Sequence, residues 1–421
     1  MAKLKGKAVV AQSGGPSTVI NSSLCGVIQA CMKSGSIDAV YGAHNGILGV
    51  LTEDLFDITR ESAETIEGLR RTPSAAAGSC RYKLKSLEDS RKDYERILEV
   101  FRAHNVRYFF YIGGNDSMDT ADKIVQLAAE TNYEMRVMGV PKTIDNDLAE
   151  TDHTPGYGSE VKYLATTVME SGRDTEALYT FDTATVVEAM GRNAGWITAG
   201  TAVAARTPED APHLVYVPEI PFSVDQFVSD CKEVVRRLGG VVVLAAEGLK
   251  DTRGQYITAQ GGKFAKDSFG HVQLGGVAET LKAIIEQEVG VKCRCNKPGT
   301  AQRNAMHFAS LTDVNEAWLV GAQAVKEAVS GRSGFMVTLI RESNDPYTVT
   351  TGRANLSVVA NGEKYLPRDF MNRAGNHISQ KCRKYVTPLL RGEAPIDIGP
   401  DGLPEYVRFR RFPVEKKTKS P

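Results

Sequence analysis

The chain has 421 residues, of which 42% are apolar and 24% are charged. This length exceeds what one ordinary hydrophobic core accommodates, so we expect a globular protein of two domains. The formal net charge is zero, which excludes a global electric field that would attract nucleic acid or a membrane surface.

In the first half of the chain, short apolar runs alternate with stretches of helical periodicity. The runs predict strands at 7–12, 107–114 and 135–140, and the stretches predict helices within 13–35, at 117–130 and at 159–171. Residues 72–89 lack apolar periodicity and predict a loop that carries Arg81 and Lys83.

The same alternation continues in the second half of the chain. Strands are predicted at 183–191, 213–219, 240–248 and 334–340, and helices at 193–205, 223–240, 277–290 and 315–331. Such alternation is typical of parallel sheets that helices cover on both faces. We therefore predict an α/β fold of two Rossmann-like, three-layer domains with mostly parallel sheets.

Glycine and polar residues cluster where the predicted strands end. The clusters read SGGPS, IGGNDS, PKTIDND, AMGRN, VPE and AAEG. In open α/β sheets, ligands bind outside the carboxyl ends of the strands. Six such clusters predict one active site, lined by loops from both sheets, in the cleft between the two domains.

The cluster after the strand at 135–140 carries the most chemistry. Pro141 cannot pair inside a sheet, so it ends the strand. Lys142, Thr143, Asp145 and Asp147 follow, which places a cation, a hydroxyl donor and two carboxylates at one strand exit. The alternative is a surface loop with an Asx turn, because Asp and Asn favour turns.

Two glycine turns precede this cluster. Gly14 and Gly15 would let an anion approach the backbone N–H groups of the next helix, or they only form a tight strand–helix turn. Asp116 follows the second turn, in IGGNDS. It either caps the next helix or places a carboxylate at the helix end where a phosphate would otherwise be favoured.

Charged residues at later strand ends complete the candidate site. Arg192 can bind a phosphate or a carboxylate in bidentate fashion and Glu247 can accept sugar hydroxyls, although each could instead form a salt bridge at the surface. Arg294 and Arg303 flank a Pro-Gly turn, in a segment that could also be a solvated basic strand edge.

The motifs SGG, GGNDS, TIDND, MGRNAGW and AEG occur together in the order that is typical of the phosphofructokinase family. The chain resembles this family over residues 7–335. The resemblance implies phosphoryl transfer to the 1-hydroxyl of fructose 6-phosphate in glycolysis and gluconeogenesis, with Mg²⁺ as cofactor. It also implies a phosphoryl-donor domain, residues 1–155 plus about 300–350, and a sugar-phosphate domain, residues 156–299 plus about 351–421.

The resemblance assigns roles residue by residue. Asp145 matches the general base that takes the proton of the sugar hydroxyl, and Asp147 matches a carboxylate near magnesium. Asn115 stands where ATP-using members have a magnesium-binding aspartate, so Asn115 and Asp147 are the implied metal ligands. The residues expected to contact substrates are Gly14, Gly15, Arg81, Thr143, Ile144, Asp145, Met190, Gly191, Arg192, Glu247, Arg294, Thr300, Ala301, Gln302 and Arg303.

Two positions depart from the ATP-using members and resemble the pyrophosphate-dependent branch. Asp116 and Lys142 stand where ATP enzymes have glycine. A carboxylate at position 116 would repel the α-phosphate of ATP by several kcal/mol, whereas pyrophosphate has no α-phosphate. Lys142 would place positive charge beside the transferring group, where it stabilises the transition state. We therefore predict pyrophosphate as the donor and a reversible reaction.

Three alternatives stay open at this point. The first is an ATP-dependent 6-phosphofructokinase. The second is a non-catalytic subunit that senses sugar phosphates, although such a protein could lose Asp145 or Lys142, and both are present. The third is a Rossmann dehydrogenase, which the stretch SGGPST does not fit because it lacks the G-x-G-x-x-G spacing.

The remaining predictions concern the protein's surroundings. Arg294 matches an arginine that reaches a neighbouring subunit's sugar phosphate, so the resemblance implies a homodimer or homotetramer. Seven cysteines without framework spacing, a short N-terminal apolar run and no candidate membrane span indicate a cytoplasmic protein with no nucleic-acid or membrane partner. The basic residues 408–421 predict a solvated tail.

Overall fold

The computed structural model describes residues 4–82, 84–259 and 276–419. The strands are β1 Gly6–Gln12, β2 Ile37–Ala43, β3 Leu55–Asp57, β4 Val106–Gly113, β5 Arg136–Pro141, β6 Ala184–Ala189, β7 Leu214–Tyr216, β8 Val241–Ala246, β9 Cys293–Asn296, β10 Phe335–Asn344 and β11 Tyr347–Asn355. The helices are α1 Ile20–Met32, α2 Ile47–Leu51, α3 Ala63–Gly68, α4 Arg91–Ala103, α5 Asn115–Glu130, α6 Tyr157–Leu178, α7 Trp196–Thr201, α8 Val224–Leu238, α9 Val277–Ile284, α10 Leu311–Val329, α11 Leu356–Asn361 and α12 Gln380–Val386.

The first sheet has seven strands in the order β11-β10-β5-β4-β1-β2-β3. Its inner strands are parallel, and the two outermost strands, β3 and β11, are antiparallel. On one face, Val9 and Ala11 pack with α4, α5 and α11; on the other, Ala8 and Val10 pack with α1 and α10. Because helices cover both faces, β1 is apolar along nearly its whole length.

The second sheet has four parallel strands in the order β7-β8-β6-β9. Helices α6, α7 and α12 cover one face, and α8 and α9 cover the other. The edge strand β9 buries Cys293 and exposes Arg294. Its alternation of buried and exposed residues is typical of a strand with one solvated face.

The prediction of an α/β fold with mostly parallel sheets is confirmed. The structure adds elements that the sequence did not predict; among them, β2, β3 and β11 complete the first sheet, and α4 and α11 belong to its helical layer. Helix α6 also extends beyond the predicted residue 171. The sequence did not indicate its last turns because they are largely polar and carry little apolar periodicity. Among the described residues, no helix combines the length and apolar character needed to cross a membrane.

The chain passes between the two sheets more than once. After β9 it returns to the first sheet as β10 and β11. Phe370, Cys382 and Leu389 then pack in the core of the second sheet. The division of the chain into a donor domain and a sugar-phosphate domain at the boundaries given above stays a prediction.

The C-terminal segment is solvated, as predicted, in that most of its residues are exposed, but its backbone is bound to the first sheet. The N–H of Val414 donates to a carbonyl of the edge strand β3 (3.0 Å). The N–H of Arg411 donates to Glu61 (3.1 Å), and the N–H of Lys417 donates to the buried carboxylate of Glu53 (2.6 Å). The basic composition of the segment did not reveal these contacts, because Glu53 and Glu61, the acidic residues that bind it, are far away in sequence.

A buried cluster of charges connects β10 and β11 to the loop before α6. His153 is 1% exposed and contacts Asp152 (Nδ1 to Oδ2, 2.7 Å) and Glu316 (Nε2 to Oε2, 2.6 Å). Arg341 and Tyr347 donate to the same two carboxylates. Burial alone would lower the pKa of His153, but the Glu316 and Asp152 carboxylates outweigh it and raise this pKa to about 9.

We expect the contribution of His153 to stability to disappear at alkaline pH. Because its pKa in the folded protein lies above the ordinary value of 6.5, the stabilisation is complete below that pH and is lost as the pH rises through about 9. Urea titrations at pH ~6 and ~9.5 measure the free energy of unfolding. Between these pH values, the wild type should lose a few kcal/mol more than His153→Gln; equal losses would contradict the prediction.

Candidate active site

Two adjoining clefts open where strands of both sheets end. The narrow cleft has a volume of about 280 Å³ and the wide cleft a volume of about 410 Å³. The residues that line both clefts form their common wall: Gly14, Gly15, Asp116, Lys142, Thr143, Asp147 and Asn193. A ligand in the narrow cleft and a ligand in the wide cleft would therefore meet at this wall.

Lys142 directly follows β5 and is only 4% exposed. Its N–H donates to the carbonyl of Gly113 (3.1 Å), which continues the pairing of β5 with β4 beyond the end of the strand. Its Nζ donates to the carbonyl of Gly15 (2.7 Å), so the charge lies against the first glycine turn. Burial lowers the pKa of Lys142 to about 8, although the carboxylates of Asp145 and Asp147 oppose this shift.

The first glycine turn lies in close contact with two cations. Gly14 has a φ of 79°, and a Cβ built there would lie 3.1 Å from Nζ of Lys142. A Cβ at Gly15 would lie 3.0 Å from Nη1 of Arg303. Side chains at these positions would push the two cations back by a few tenths of an ångström, and the positive φ of Gly14 also favours glycine at that position.

The turn also fixes the loop that carries Arg81. The N–H of Gly14 donates to the carbonyl of Cys80 (3.0 Å), and the hydroxyl of Ser79 donates to the carbonyl of Gly14 (2.6 Å). Arg81 lines the narrow cleft. Lys83, the second cation predicted for this loop, lies outside the described residues.

The two predicted catalytic carboxylates lie on a tight turn. The N–H of Asp145 donates to Oγ1 of Thr143 (3.1 Å), and Asn146 is fully buried with a φ of 54°. Asp145 lines the narrow cleft, whereas Asp147 lines both clefts. Burial and the carboxylates of Asp147 and Glu247 raise the pKa of Asp145, so it accepts a proton more readily than an ordinary aspartate does.

The second sheet supplies the opposite side of the narrow cleft. Met190 and Arg192 follow β6, and Glu247 follows β8. The N–H of Gly191, at a φ of 116°, donates to Oε1 of Glu247 (3.3 Å). Oε1 of Gln302 accepts from the N–H of Met190 (3.1 Å). These bonds hold the backbone of the MGR turn and the Glu247 carboxylate in place.

The structure brings most of the predicted site residues together. The clefts are lined by Gly14, Gly15, Arg81, Asn115, Asp116, Lys142, Thr143, Ile144, Asp145, Asp147, Met190, Arg192, Glu247 and Arg303. Gly191 and Gln302 line neither cleft, but they form hydrogen bonds with Glu247 and Met190, which line the narrow cleft.

Besides Gly191 and Gln302, three predicted residues line neither cleft. Thr300 and Ala301 are exposed, and Arg294 on β9 forms ion pairs with Asp174 and Asp182. About half of the Arg294 side chain is exposed to solvent. The predicted contacts of these three residues with substrate stay predictions.

Sequence reasoning missed several residues that belong to the site. Asn193 lines both clefts, and its position directly after Arg192 in the MGRN motif was an available signal. Residues 360–363 line the wide cleft but lie far from the motifs in sequence. Glu160, in the first turn of α6, lines neither cleft, but it interacts electrostatically with Asp145 and Arg303; it is fully buried, and neither of its carboxylate oxygens has a hydrogen-bond partner among the described residues.

The donor set of the wide cleft fits Mg²⁺. Nδ2 of Asn115 donates to the carbonyl of Gly362 (3.2 Å), while Oδ1 is buried without a hydrogen-bond partner within the described chain. Asn115 and Asp147 both line this cleft, and oxygen atoms are the ligands that Mg²⁺ prefers. The described residues contain no group of three or more His, Cys, Asp or Glu side chains that could hold a metal. The site therefore fits an ion that takes most of its ligands from water and phosphate oxygens.

The charges suit anionic ligands and a proton transfer. The narrow cleft holds four cations, those of Arg81, Lys142, Arg192 and Arg303, beside the carboxylates of Asp116, Asp145, Asp147 and Glu247. Arginine binds phosphate groups in bidentate fashion. With Asp145 among these cations, the arrangement can bind a phosphorylated molecule and accept a proton from its hydroxyl group.

Comparisons with known proteins agree with this chemistry. Residues 7–328 match the family model described as "Phosphofructokinase". The chain is 47% identical to a pyrophosphate–fructose 6-phosphate 1-phosphotransferase of Xanthomonas campestris over 98% of both chains, and 46% identical to one of Halomonas elongata over 97% of both. It superposes on the crystal structure of a pyrophosphate-dependent phosphofructokinase from Marinobacter aquaeolei with a TM-score of 0.89 and 41% identity, covering 99% of each chain. The chain therefore belongs to the phosphofructokinase family.

Proposed function

We propose that the chain transfers a phosphoryl group from pyrophosphate to the 1-hydroxyl of D-fructose 6-phosphate, producing fructose 1,6-bisphosphate and phosphate. The observation that carries this proposal is the presence of both Asp116 and Lys142 on the common wall of the two clefts. Two relatives that are 46% and 47% identical over nearly the whole chain are pyrophosphate–fructose 6-phosphate 1-phosphotransferases, which supports it.

The narrow cleft takes the sugar phosphate in this proposal. Arg192 and Arg303 bind its phosphate group, and Glu247 accepts hydrogen bonds from its hydroxyl groups. Asp145 takes the proton of the 1-hydroxyl as the oxygen forms its bond to phosphorus, and the bond from phosphorus to the leaving phosphate breaks in line with this attack.

The wide cleft takes pyrophosphate over the glycine turn. Gly14 and Gly15 line this cleft and let the phosphates approach the backbone closely, and Lys142 lies beside the group that moves between the clefts. Pyrophosphate and the sugar phosphate have comparable transfer potentials in reactions of this family, so we expect the reaction to run in both directions.

Mg²⁺ is the proposed cofactor. Oδ1 of Asn115 and the carboxylate of Asp147 would hold it at the wide cleft. When bound, the ion neutralises negative charge on the phosphates of the donor.

A donor assay tests the proposed function. Purified protein is mixed with fructose 6-phosphate, Mg²⁺ and either pyrophosphate or ATP, and fructose 1,6-bisphosphate is measured. We expect turnover with pyrophosphate, and phosphate-dependent formation of fructose 6-phosphate in the reverse direction. Turnover with ATP but not with pyrophosphate would contradict the donor assignment, and sugar binding without turnover would favour a sensing subunit.

We expect Asp116→Gly to admit ATP. Loss of the carboxylate removes a repulsion of several kcal/mol from the α-phosphate, so kcat/KM with ATP should rise by at least about tenfold. Asp116→Asn is the matched control, because it removes the charge and keeps the size of the side chain. Activity with ATP in both variants would support charge repulsion as the cause of exclusion. Activity with ATP in the glycine variant alone would support steric exclusion. If neither variant uses ATP, the role of Asp116 is contradicted.

The proposal includes a homodimer or homotetramer in the cytoplasm. Arg294 lies on the edge strand β9 with half of its side chain exposed, where a neighbouring subunit could be reached. All seven cysteines are free, which suits a reducing compartment. Sedimentation of the purified chain would measure its oligomeric state, and a monomer would contradict the predicted role of Arg294.

A further inference from the structure

The turn at 143–147 is held by hydrogen bonds from Lys364, a residue with no role in the function proposed above. Its Nζ donates to Oδ1 of Asn146 (3.2 Å) and to the carbonyls of Thr151 (3.2 Å) and Asp152 (2.9 Å). An ammonium group has three N–H donors, and these three oxygens match them one for one. The ammonium group therefore connects the turn to the loop that follows it.

The backbone of Lys364 binds the same turn and a neighbouring helix. Its N–H donates to the carbonyl of Asp147 (2.8 Å), and its carbonyl accepts from Nε1 of Trp196 (2.8 Å). Nζ of Lys364 also lies 5.1 Å from the ring centre of Trp196. Since Trp196 begins α7, Lys364 fixes the position of the turn relative to the second sheet.

Asn146 is the link between Lys364 and the two carboxylates. It is fully buried and holds a φ of 54°, a conformation that costs energy unless its surroundings stabilise it. Its Oδ1 accepts from the N–H of Thr154 (3.0 Å) as well as from Lys364, and its Nδ2 donates to the hydroxyl of Tyr385 (3.0 Å). That hydroxyl donates to the carbonyl of Asp152 (2.7 Å).

We propose that Lys364 is a positioning residue that holds the 143–147 turn so that the carboxylate of Asp145 meets the acceptor hydroxyl in the reactive geometry. This inference rests on the proposed function, because it takes Asp145 as the base. Lys364 lines neither cleft and contacts no substrate in this arrangement. A displacement of about 1 Å at a reacting group can lower a rate on the order of 100-fold.

Lys364→Met tests the inference, because methionine keeps an unbranched stem beside Trp196 and removes the three donors. We expect kcat to fall by about 10- to 100-fold, while KM for both substrates changes less than about threefold. A crystal structure of the variant should show the turn displaced, which is a readout that does not depend on activity.

Lys162→Met is the matched control. Lys162 is 8% exposed, and its Nζ also has three oxygen partners, on Ala309 (3.4 Å), Gly392 (2.7 Å) and Glu393 (2.8 Å). None of these partners lines either cleft. We expect the control to lose a similar amount of thermal stability and to keep the wild-type kcat.

Several outcomes would overturn the inference. These are a folded Lys364→Met protein with wild-type kcat, an unmoved turn in its crystal structure, or an equal loss of kcat in the Lys162→Met control. If Lys364→Met does not fold, Tyr385→Phe replaces it, since it removes only the hydroxyl between Asn146 and Asp152. A several-fold lower kcat with unchanged KM then supports the inference, and an unchanged kcat overturns it.

The wild type is assayed first with both donors, so that the two proposals can fail separately. Activity with ATP alone contradicts the proposed donor, and the Lys364 variants are then assayed with ATP. If the wild type uses neither donor, the proposed function fails, and the position of the turn in the variant structure still tests Lys364.

Discussion

Replacing Asp145 by asparagine should lower kcat by about 10²- to 10⁴-fold, the usual contribution of a general base. Asparagine has the shape of aspartate but cannot accept the proton of the sugar hydroxyl at neutral pH. The cations that bind the sugar phosphate, Arg192 and Arg303, stay in place, so the dissociation constant of fructose 6-phosphate should change only a few-fold. Steady-state kinetics and calorimetric titration measure the two quantities separately.

Asp119→Asn is a suitable control for this variant. Asp119 lies on α5, pairs with Lys123 and lines neither cleft. It should keep the wild-type kcat. An Asp145→Asn protein with wild-type kcat would contradict the assignment of the base, whatever the behaviour of the control.

The part of the site that could be predicted from sequence consists of residues that are contiguous at strand ends. Lys142, Thr143, Asp145 and Asp147 follow β5 directly, and Gly14 and Gly15 follow β1 within three residues. Parallel strands bring their carboxyl ends to one edge of a sheet, so local motifs at those ends become neighbours in space. The predicted alternation of strands and helices was therefore enough to place these residues together.

The residues that sequence did not reveal reach the site through long-range packing. Residues 360–363 line the wide cleft and Lys364 holds the catalytic turn, although more than 200 residues separate them from that turn. Glu160 lies in a helix whose periodicity gives no sign that a buried carboxylate interacts with Asp145 and Arg303. The C-terminal segment is a further case, because Glu53 and Glu61 hold it from the other end of the chain. Contacts of this kind depend on the complete fold and leave no local pattern.

Lys142→Met should lower kcat/KM for pyrophosphate by about 10²- to 10³-fold, because one fixed charge beside a transferring phosphoryl group contributes a few kcal/mol. Methionine fills the buried position without the charge. Lys123→Met is the control, since Nζ of Lys123 donates to a carbonyl, that of Leu84, as Nζ of Lys142 does, and Lys123 pairs with Asp119 and lines neither cleft. Initial rates at several pyrophosphate concentrations measure the effect. Retention of wild-type kcat/KM in Lys142→Met would contradict the proposed role.

Lys142→Arg separates charge from geometry at the same position. Arginine keeps the positive charge, but its guanidinium is larger than the ammonium, whose Nζ already lies 2.7 Å from the carbonyl of Gly15 and 3.1 Å from where a Cβ of Gly14 would be. We therefore expect the guanidinium to push the glycine turn away and kcat/KM for pyrophosphate to stay at least about tenfold below wild type. Full activity in this variant would mean that any nearby cation suffices. The close packing of Lys142 against the glycine turn would then have no catalytic role.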